Sequence, residues 1–172
     1  MTNECFNALM ERIKKKDSSA LHEVYVEYHA YIYRIAYNVL CHREDAEDVA
    51  SDVFVRIWDK ASTFTDGTSH KGWLATLTRN MAIDLLRKQG RTYPCEVPED
   101  TPALDSMSDV EKRIDVERFL SRFPSDMREI LHLKFYGGFT LKEIADVMEL
   151  PPGTVNWKYV EAKKMLRGYG YA

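Results

Sequence analysis

The sequence predicts an all-α protein built as two small helical domains joined by an acidic, flexible linker, the second domain containing a helix-turn-helix. Three observations carry that reading. Apolar residues recur at spacings of three and four in both halves, and no stretch alternates with the period of a half-buried strand. Glycine and proline are sparse, 8 and 6 in 172 residues, so little interrupts the helices. The exception is YPCEVPEDTPALDSMSDV, residues 93–110, which holds Pro94, Pro98 and Pro102 and shows neither helical nor strand period.

Charge divides the chain in the same places. Residues 1–92 carry 13 bases and 13 acids, residues 93–110 carry five acids and no base, and residues 111–172 carry 11 bases and nine acids. The net charge of −3 conceals this partition, and an electrostatic partner responds to the local field. The expected organisation is a domain over 1–92, a linker over 93–110 and a domain over 111–172. A long surface loop within one domain is the alternative for the middle piece, although structureless loops of that length are uncommon inside compact domains.

The opening MTNECFNALMERIKKK lacks a basic start followed by an apolar stretch, and later apolar runs are broken by residues such as Arg34 and Asn38. Neither a leader nor direct membrane insertion is expected, and a cytoplasmic location is. Cys5, Cys41 and Cys95 are too few and scattered for a disulfide framework or a zinc site, which fits a reducing compartment.

The first helix is expected over 20–40, where Val24, Tyr28, Ile32, Ile35, Ala36 and Val39 fall on one face. The second, over 44–60, buries Ala46, Val49, Ala50, Val53, Ile57 and Trp58. Its other side is strongly acidic, with Glu44, Asp45, Glu47, Asp48, Asp52 and Asp59, and the acids crowd its first turns, where the helix dipole favours them. STFTDGTSH then reads as an exposed polar loop around Gly67. The third helix, over 71–89, places Leu74, Leu77, Met81 and Leu85 on one stripe and Lys71, Arg79, Arg87 and Lys88 elsewhere, with Arg91 just beyond.

After the linker, helices are expected over 110–123 and 125–135, separated by Pro124, with Ser125 as a cap and Gly137 and Gly138 as the stop. Thr140-Leu-Lys-Glu143 is a capping box opening a short helix whose inner face is Leu141, Ile144, Ala145 and Met148. Leu150-Pro-Pro-Gly153 turns the chain, and Thr154 is expected to cap a last helix with Val155, Tyr159, Ala162 and Leu166 inside. Its other face carries Asn156, Trp157, Lys158, Lys163, Lys164 and Arg167. Two short helices with the second basic and outward-facing suit entry into a major groove. Helical hairpins that bind no DNA share this pattern, so pattern alone leaves plain packing open.

DAEDVASDVFVRIWDK, then GWLATLTRNMAIDLLRK, then an acidic linker, then FTLKEIADVMELPPGTV resemble, in that order, the second and fourth regions of RNA polymerase sigma factors of the extracytoplasmic-function group, in the sigma-70 superfamily. Any one block is weak, and their order is specific. The resemblance implies that core RNA polymerase docks on the acidic helix through Asp45, Asp48, Asp52 and Arg56, with Phe54 and Trp58 nearby, where complementary charge sets register and encounter rate. A merely solvated face is the bland reading of such a helix, and Phe54 and Trp58 fit the core equally well.

The same resemblance implies that the loop Phe64, Thr65, Asp66, Gly67, Thr68, Ser69, His70 and Lys71 and the helix after it recognise the minus-10 element of promoter DNA and help open it. Opening a base step costs a few kcal/mol, which capture of an extruded base and cation contacts to phosphates can offset. Arg79, Arg87, Lys88 and Arg91 fall to phosphates, Asn80 and Asp84 to bracing the loop, and Trp73 to packing. The last helix would read the minus-35 element through Thr154, Asn156, Trp157, Lys158, Lys163 and Lys164, with Thr140 on the preceding helix.

Two departures stand out. Glu161 occupies a position where the family commonly has a base, and Asn156-Trp157 replaces a more usual Lys-Ser pair, so weaker binding or a changed base preference follows. The family also implies an anti-sigma factor as a partner. No cofactor is expected. His22, His29, His42, His70 and His132 are dispersed, and no phosphate loop or nucleophile elbow is present, so catalysis by the chain is not expected. A helix-turn-helix repressor or activator working without polymerase would explain residues 125–167 and leave the charged helices of the first half unused.

Overall fold

The computed structural model describes residues 1–65, 69–90 and 123–168. The chain divides into two compact units, Met1–Gly90 and Arg91–Ala172. The expected linker over 93–110 and nearly all of the expected helix over 110–123 lie outside the described residues.

The first unit begins with a helix the pattern reading did not identify, α1 (Asn3–Lys14). Thr2 caps it, its hydroxyl accepting the Cys5 N–H at 3.3 Å, and Phe6, Leu9, Met10 and Ile13 form a buried face at i, i+3, i+4 and i+7. The chain reverses through Lys16 in a left-handed conformation (φ 63°) and restarts at Asp17, the N-cap of α2 (Ser18–Leu40). Hydrogen bonds from Ser19 and Arg12 draw the Asp17 carboxyl down to a pKa of about 2. Arg12 also pairs with Glu23 at 2.9 Å, so one guanidinium ties α1 to the start of α2.

The predicted inner face of α2 is buried throughout. The helix stops at Cys41, also left-handed (φ 49°), and α3 (Arg43–Lys60) folds back at once, with His42 Nδ1 accepting the Asp45 N–H at 3.3 Å. Ala46, Val49, Ala50, Val53, Phe54 and Ile57 face α2 and the core. Burial of each aliphatic side chain of this kind contributes about 1.5–3 kcal/mol.

A single 3₁₀ turn (Ala61–Thr63) leads to the loop, and α4 (His70–Lys88) follows. Its buried face is His70, Leu74, Ala75, Thr78, Ala82 and Leu86, while Leu77, Met81 and Leu85 of the expected stripe are only half-buried. Small residues account for the rotation. Ala75, Thr78 and Ala82 let the helix approach its neighbours closely, and the Thr78 hydroxyl donates to the Leu74 carbonyl at 2.7 Å, so its burial strands no polar group.

In the second unit α5 (Ser125–Phe135) is capped by the backbone of Pro124 with no side-chain hydrogen bond, so Ser125 is the first helical residue rather than the cap. Gly138 takes a left-handed φ of 71°, and a Cβ at Gly137 would fall 2.6 Å from both the Leu133 carbonyl oxygen and the Phe139 ring. The capping box is present as read: Thr140 accepts the Glu143 N–H at 3.2 Å and Glu143 accepts the Thr140 N–H at 2.8 Å, opening α6 (Leu141–Met148). Glu149 (φ 54°) ends it, and the Leu150 N–H returns to the Ala145 carbonyl at 3.0 Å.

The last helix, α7 (Pro152–Gly168), starts two residues before the expected cap. Proline suits the first helical position because its fixed φ fits the helix and its missing N–H would be unpartnered there. Thr154 therefore lies in the first turn, its own N–H bonded to the Pro151 carbonyl at 2.9 Å. Phe123, Met127, Leu131 and Ala162 form a buried cluster joining α5 to α7, with Tyr159, Met165 and Leu166 packed against it.

Candidate docking and nucleic-acid interfaces

The exposed side of α3 is a charged stripe. Glu44, Glu47, Asp48, Asp52 and Asp59 point away from the core, and Arg56 lies among them. Val55 sits in the middle of this stripe with 59% of its surface exposed, an apolar group ringed by acids. On α2, Tyr25 and Val26 are exposed as well, and the Tyr25 ring lies 4.9 Å from Phe54 and 4.8 Å from His29. These three residues were missed by periodicity because each sits outside the buried stripe, and only an exposed apolar patch betrays them.

The docking residues divide accordingly. Asp48, Asp52 and Arg56 are presented to solvent. Asp45 is mostly covered, and its carboxylate accepts the Gln89 amide, at the end of α4, at 3.4 Å. Phe54 is buried, and Trp58 is half-buried under Lys16, whose ammonium lies 4.8 Å over the indole and donates to the Trp58 carbonyl at 3.1 Å. Phe54 and Trp58 thus shape the α2–α3 surface from beneath rather than presenting themselves on it.

The loop before α4 is held at both ends. Phe64 is buried, its ring 5.0 Å from Trp73 and 5.5 Å from Phe6. Ser69 caps α4, its hydroxyl accepting the Gly72 N–H at 3.3 Å. His70 is 5% exposed, stacked on Phe6 at 5.0 Å and bonded to the Tyr28 hydroxyl at 2.6 Å. Phe64 and His70, expected at the DNA surface, are buried against α1, where removing their rings from water is favourable. Thr65 and Lys71 are exposed, whereas Asp66, Gly67 and Thr68 lie outside the described residues.

Along α4, Asn80, Asp84, Arg87 and Lys88 are exposed and Arg79 is half-buried. Arg87 and Asp84 are 3.6 Å apart, so Asp84 faces a cation of its own helix. Arg91 lies outside the described residues. Burial lowers the pKa of His70, with the positive charge of Lys71 adding to the shift, and burial pushes the Tyr28 hydroxyl up to about 12.

In the second unit Asn156, Trp157, Lys163 and Lys164 are exposed on α7, and Trp157 keeps 58% of its surface in solvent. Lys158 is ion-paired with Asp126 of α5 and lies 5.9 Å over the Trp157 ring. Glu161 is paired with Lys164 at 2.6 Å, within its own helix. Lys163 sits 5.7 Å over Tyr159. The Thr140 hydroxyl is committed to Glu143, whose carboxyl is held below its ordinary pKa by hydrogen bonds from the Thr140 backbone and side chain. Phe135 and Tyr136 at the end of α5 are exposed too.

Comparison with known proteins places these surfaces in a family. The Sigma-70 region 2 family matches residues 24–92 and the Sigma-70, region 4 family matches residues 113–166. The chain is similar to the ECF RNA polymerase sigma factor SigE of Mycolicibacterium smegmatis, 29% identical over 146 residues, which is 80% of this chain and 56% of that protein. It thus spans little more than half the length of that relative. Similarity to the ECF RNA polymerase sigma factor SigW of Bacillus subtilis is 23% identity over 173 residues, covering 92% of each.

Two solved structures share the fold. CnrH, solved with the cytosolic domain of CnrY, aligns with a TM-score of 0.69 at 18% identity over 96% of both chains. The sigma factor RpoE of Bartonella quintana, solved with the anti-sigma factor NepR, aligns with a TM-score of 0.69 at 23% identity over 86% of this chain and 94% of that one. Among the described residues, no helix is long and apolar enough to cross a membrane.

Proposed function

Because the chain belongs to the extracytoplasmic-function group of the sigma-70 family, whose members direct RNA polymerase to promoters, we propose that its charged surfaces divide that task between two domains. Residues 1–92 dock on core polymerase through the acidic stripe of α3 and engage the minus-10 element through the loop and α4. Residues 111–172 read the minus-35 element through α7, and residues 93–110 tether the two. The observation that carries this division is the separation of charge within one small domain: acids line the outer side of α3 while Lys71, Arg87 and Lys88 stand exposed on α4.

Asp48 and Asp52, beside the exposed Val55, supply both halves of a helix-docking contact, charge for encounter and an apolar centre for burial. The cations of α4 neutralise phosphates, and Thr65, Lys71 and Asn80 stand near the opened strand. Asn156 and Trp157 lead the major-groove face of α7. The chain contributes binding energy and orientation rather than catalysis. It works in the cytoplasm, where polymerase and promoter meet. CnrH and RpoE were each solved with a protein bound, and an anti-sigma factor is the corresponding partner here.

Transcription in vitro with core polymerase over a randomised promoter library tests the reading. The free chain is expected to bind promoter DNA poorly, and the mixture to start transcripts at selected sequences sharing two spaced elements. Tight, sequence-specific binding by the chain alone, with no change in where transcripts start, would overturn it in favour of a polymerase-independent repressor or activator.

A further inference from the structure

The start of α4 is fixed by an element that lies outside the family match, which begins at residue 24. The first N–H of a helix has no partner within it. Here the His70 N–H is accepted by the side-chain oxygen of Asn3, on α1, at 3.3 Å, and the same oxygen faces His70 Nδ1. An amide oxygen is only an acceptor, so Nδ1 carries the ring proton and Nε2 is left as the acceptor for the Tyr28 hydroxyl at 2.6 Å. Asn3, His70 and Tyr28 thereby form one chain of hydrogen bonds across α1, α4 and α2. Tyr31 of α2 adds a bond to the Lys71 carbonyl at 3.0 Å.

The other end of the loop rests on the same helix. Phe64 and His70 bracket the loop in sequence, and both pack on the ring of Phe6, at 5.5 Å and 5.0 Å. Phe6 is fully buried, whereas Asn3 is exposed apart from its engagement with His70. The stability of α1 therefore rests on Phe6, Leu9, Met10 and Ile13, and the Asn3 amide serves the geometry of α4's first turn. A loop whose ends are already fixed gives up less conformational freedom when it binds.

We propose that Asn3, His70 and Tyr28 are a clasp by which α1 presets the two ends of the minus-10 loop for capture of single-stranded promoter DNA. This makes them positioning residues, and it rests on the assignment of that loop to the minus-10 element. Opening the clasp leaves docking and the second domain untouched and returns to the loop the freedom that capture must then remove.

The test uses the full chain assembled with core polymerase and a fluorescent single-stranded oligonucleotide bearing the minus-10 sequence recovered from the promoter library. Asn3→Ala and Tyr28→Phe are expected to weaken capture about tenfold with polymerase affinity nearly unchanged; the melting temperature of the free chain should hold for Asn3→Ala, whose side chain is exposed, and fall for Tyr28→Phe, which leaves the buried His70 Nε2 without its hydroxyl donor. Asn3→Asp keeps an acceptor oxygen and restores capture, which a general loss of packing would not allow. A Thr65→Ala, Lys71→Ala variant separates the two ideas. If it captures the oligonucleotide like the parent chain, the minus-10 assignment fails and the clasp with it. Should it fail to capture while Asn3→Ala binds normally, or should Asn3→Asp be as impaired as Asn3→Ala, the clasp alone is wrong.

Discussion

The two domains hold their cations in different ways. On α4, Lys71 and Lys88 are exposed, and the ion pair between Arg87 and Asp84 is long at 3.6 Å and open to solvent. On α7, Lys158 is paired with Asp126, Lys164 with Glu161 at 2.6 Å, and Lys163 lies over Tyr159. A phosphate meeting α4 finds Lys71 and Lys88 exposed, whereas one meeting Lys158 or Lys164 of α7 competes with a carboxylate. The contrast teaches that a count of Lys and Arg is a poor measure of anion affinity, since prior pairing decides how much of each charge is available. Under the proposed function the domains would then take separate jobs, α4 supplying affinity for the backbone and α7 relying more on the shape and base contacts of its leading end.

The sharpest way to break the comparison is to remove one domain and leave the other. Ile130, fully buried in the second unit, is expected to cost about 2–5 kcal/mol as Ile130→Ala, enough to unfold a core of this size. Hydrogen exchange read by mass spectrometry should lose protection over α5–α7 and keep it over α1–α4; loss in both would show that the domains are not independent.

Next in size is the docking stripe. Reversing Asp48 and Asp52 to Lys puts like charges against the partner and should weaken association with core polymerase about a hundredfold, measured by fluorescence anisotropy, with helicity unchanged. Retained association would remove that face from the interface.

Salt dependence then separates the two basic helices directly. Arg87→Ala with Lys88→Ala is expected to flatten the slope of log affinity against log salt by about 1.8, the value for two phosphates on duplex DNA. Lys158→Ala with Lys164→Ala should flatten it by less than about half as much, because those charges are already shared with Asp126 and Glu161. Equal slopes would erase the distinction.

The smallest effect is with pH. His70 has a lowered folded pKa, so the unfolded chain binds its proton more readily, and stability of the first domain should be complete above the ordinary histidine value near 6.5 and decline as pH falls below it. Glu143 has the opposite chemistry and a lowered pKa, so its contribution to the second domain persists until pH falls below about the ordinary value of 4.5. Chemical denaturation of the first domain between pH 7.5 and 5 (about the range where histidine alone titrates) should therefore show that decline.

Much of the fold is legible in the residues because its helices are amphipathic and cleanly punctuated. The α2 stripe, the capping box at Thr140 and the Gly137-Gly138 stop all stand in the structure as their chemistry demands. The α1 helix is legible too, since Phe6, Leu9, Met10 and Ile13 keep helical spacing, although the segment is short and flanked by charge. The α4 face was misjudged by giving weight to Leu77, Met81 and Leu85, when Ala75, Thr78 and Ala82 permit the closer approach. Thr154 was preferred as a cap over the proline rule that fits Pro152. At the candidate interfaces, charge pattern located α3 and α4, but the burial of Phe64 and His70 and the pairing of Lys158 depend on residues 58, 67 and 32 positions away and carry no local signal.

The crowding at Gly137 bears on genetics. Any side chain there must push aside the Leu133 carbonyl or the Phe139 ring, so even alanine strains the corner between α5 and α6. On the proposed division of roles, a cell carrying that allele would make a subunit sound at low temperature and half-folded when warmed, one that would still occupy the polymerase yet lose its upstream grip. Such a product obstructs its own normal copy, and the mutation would be inherited as a heat-sensitive dominant.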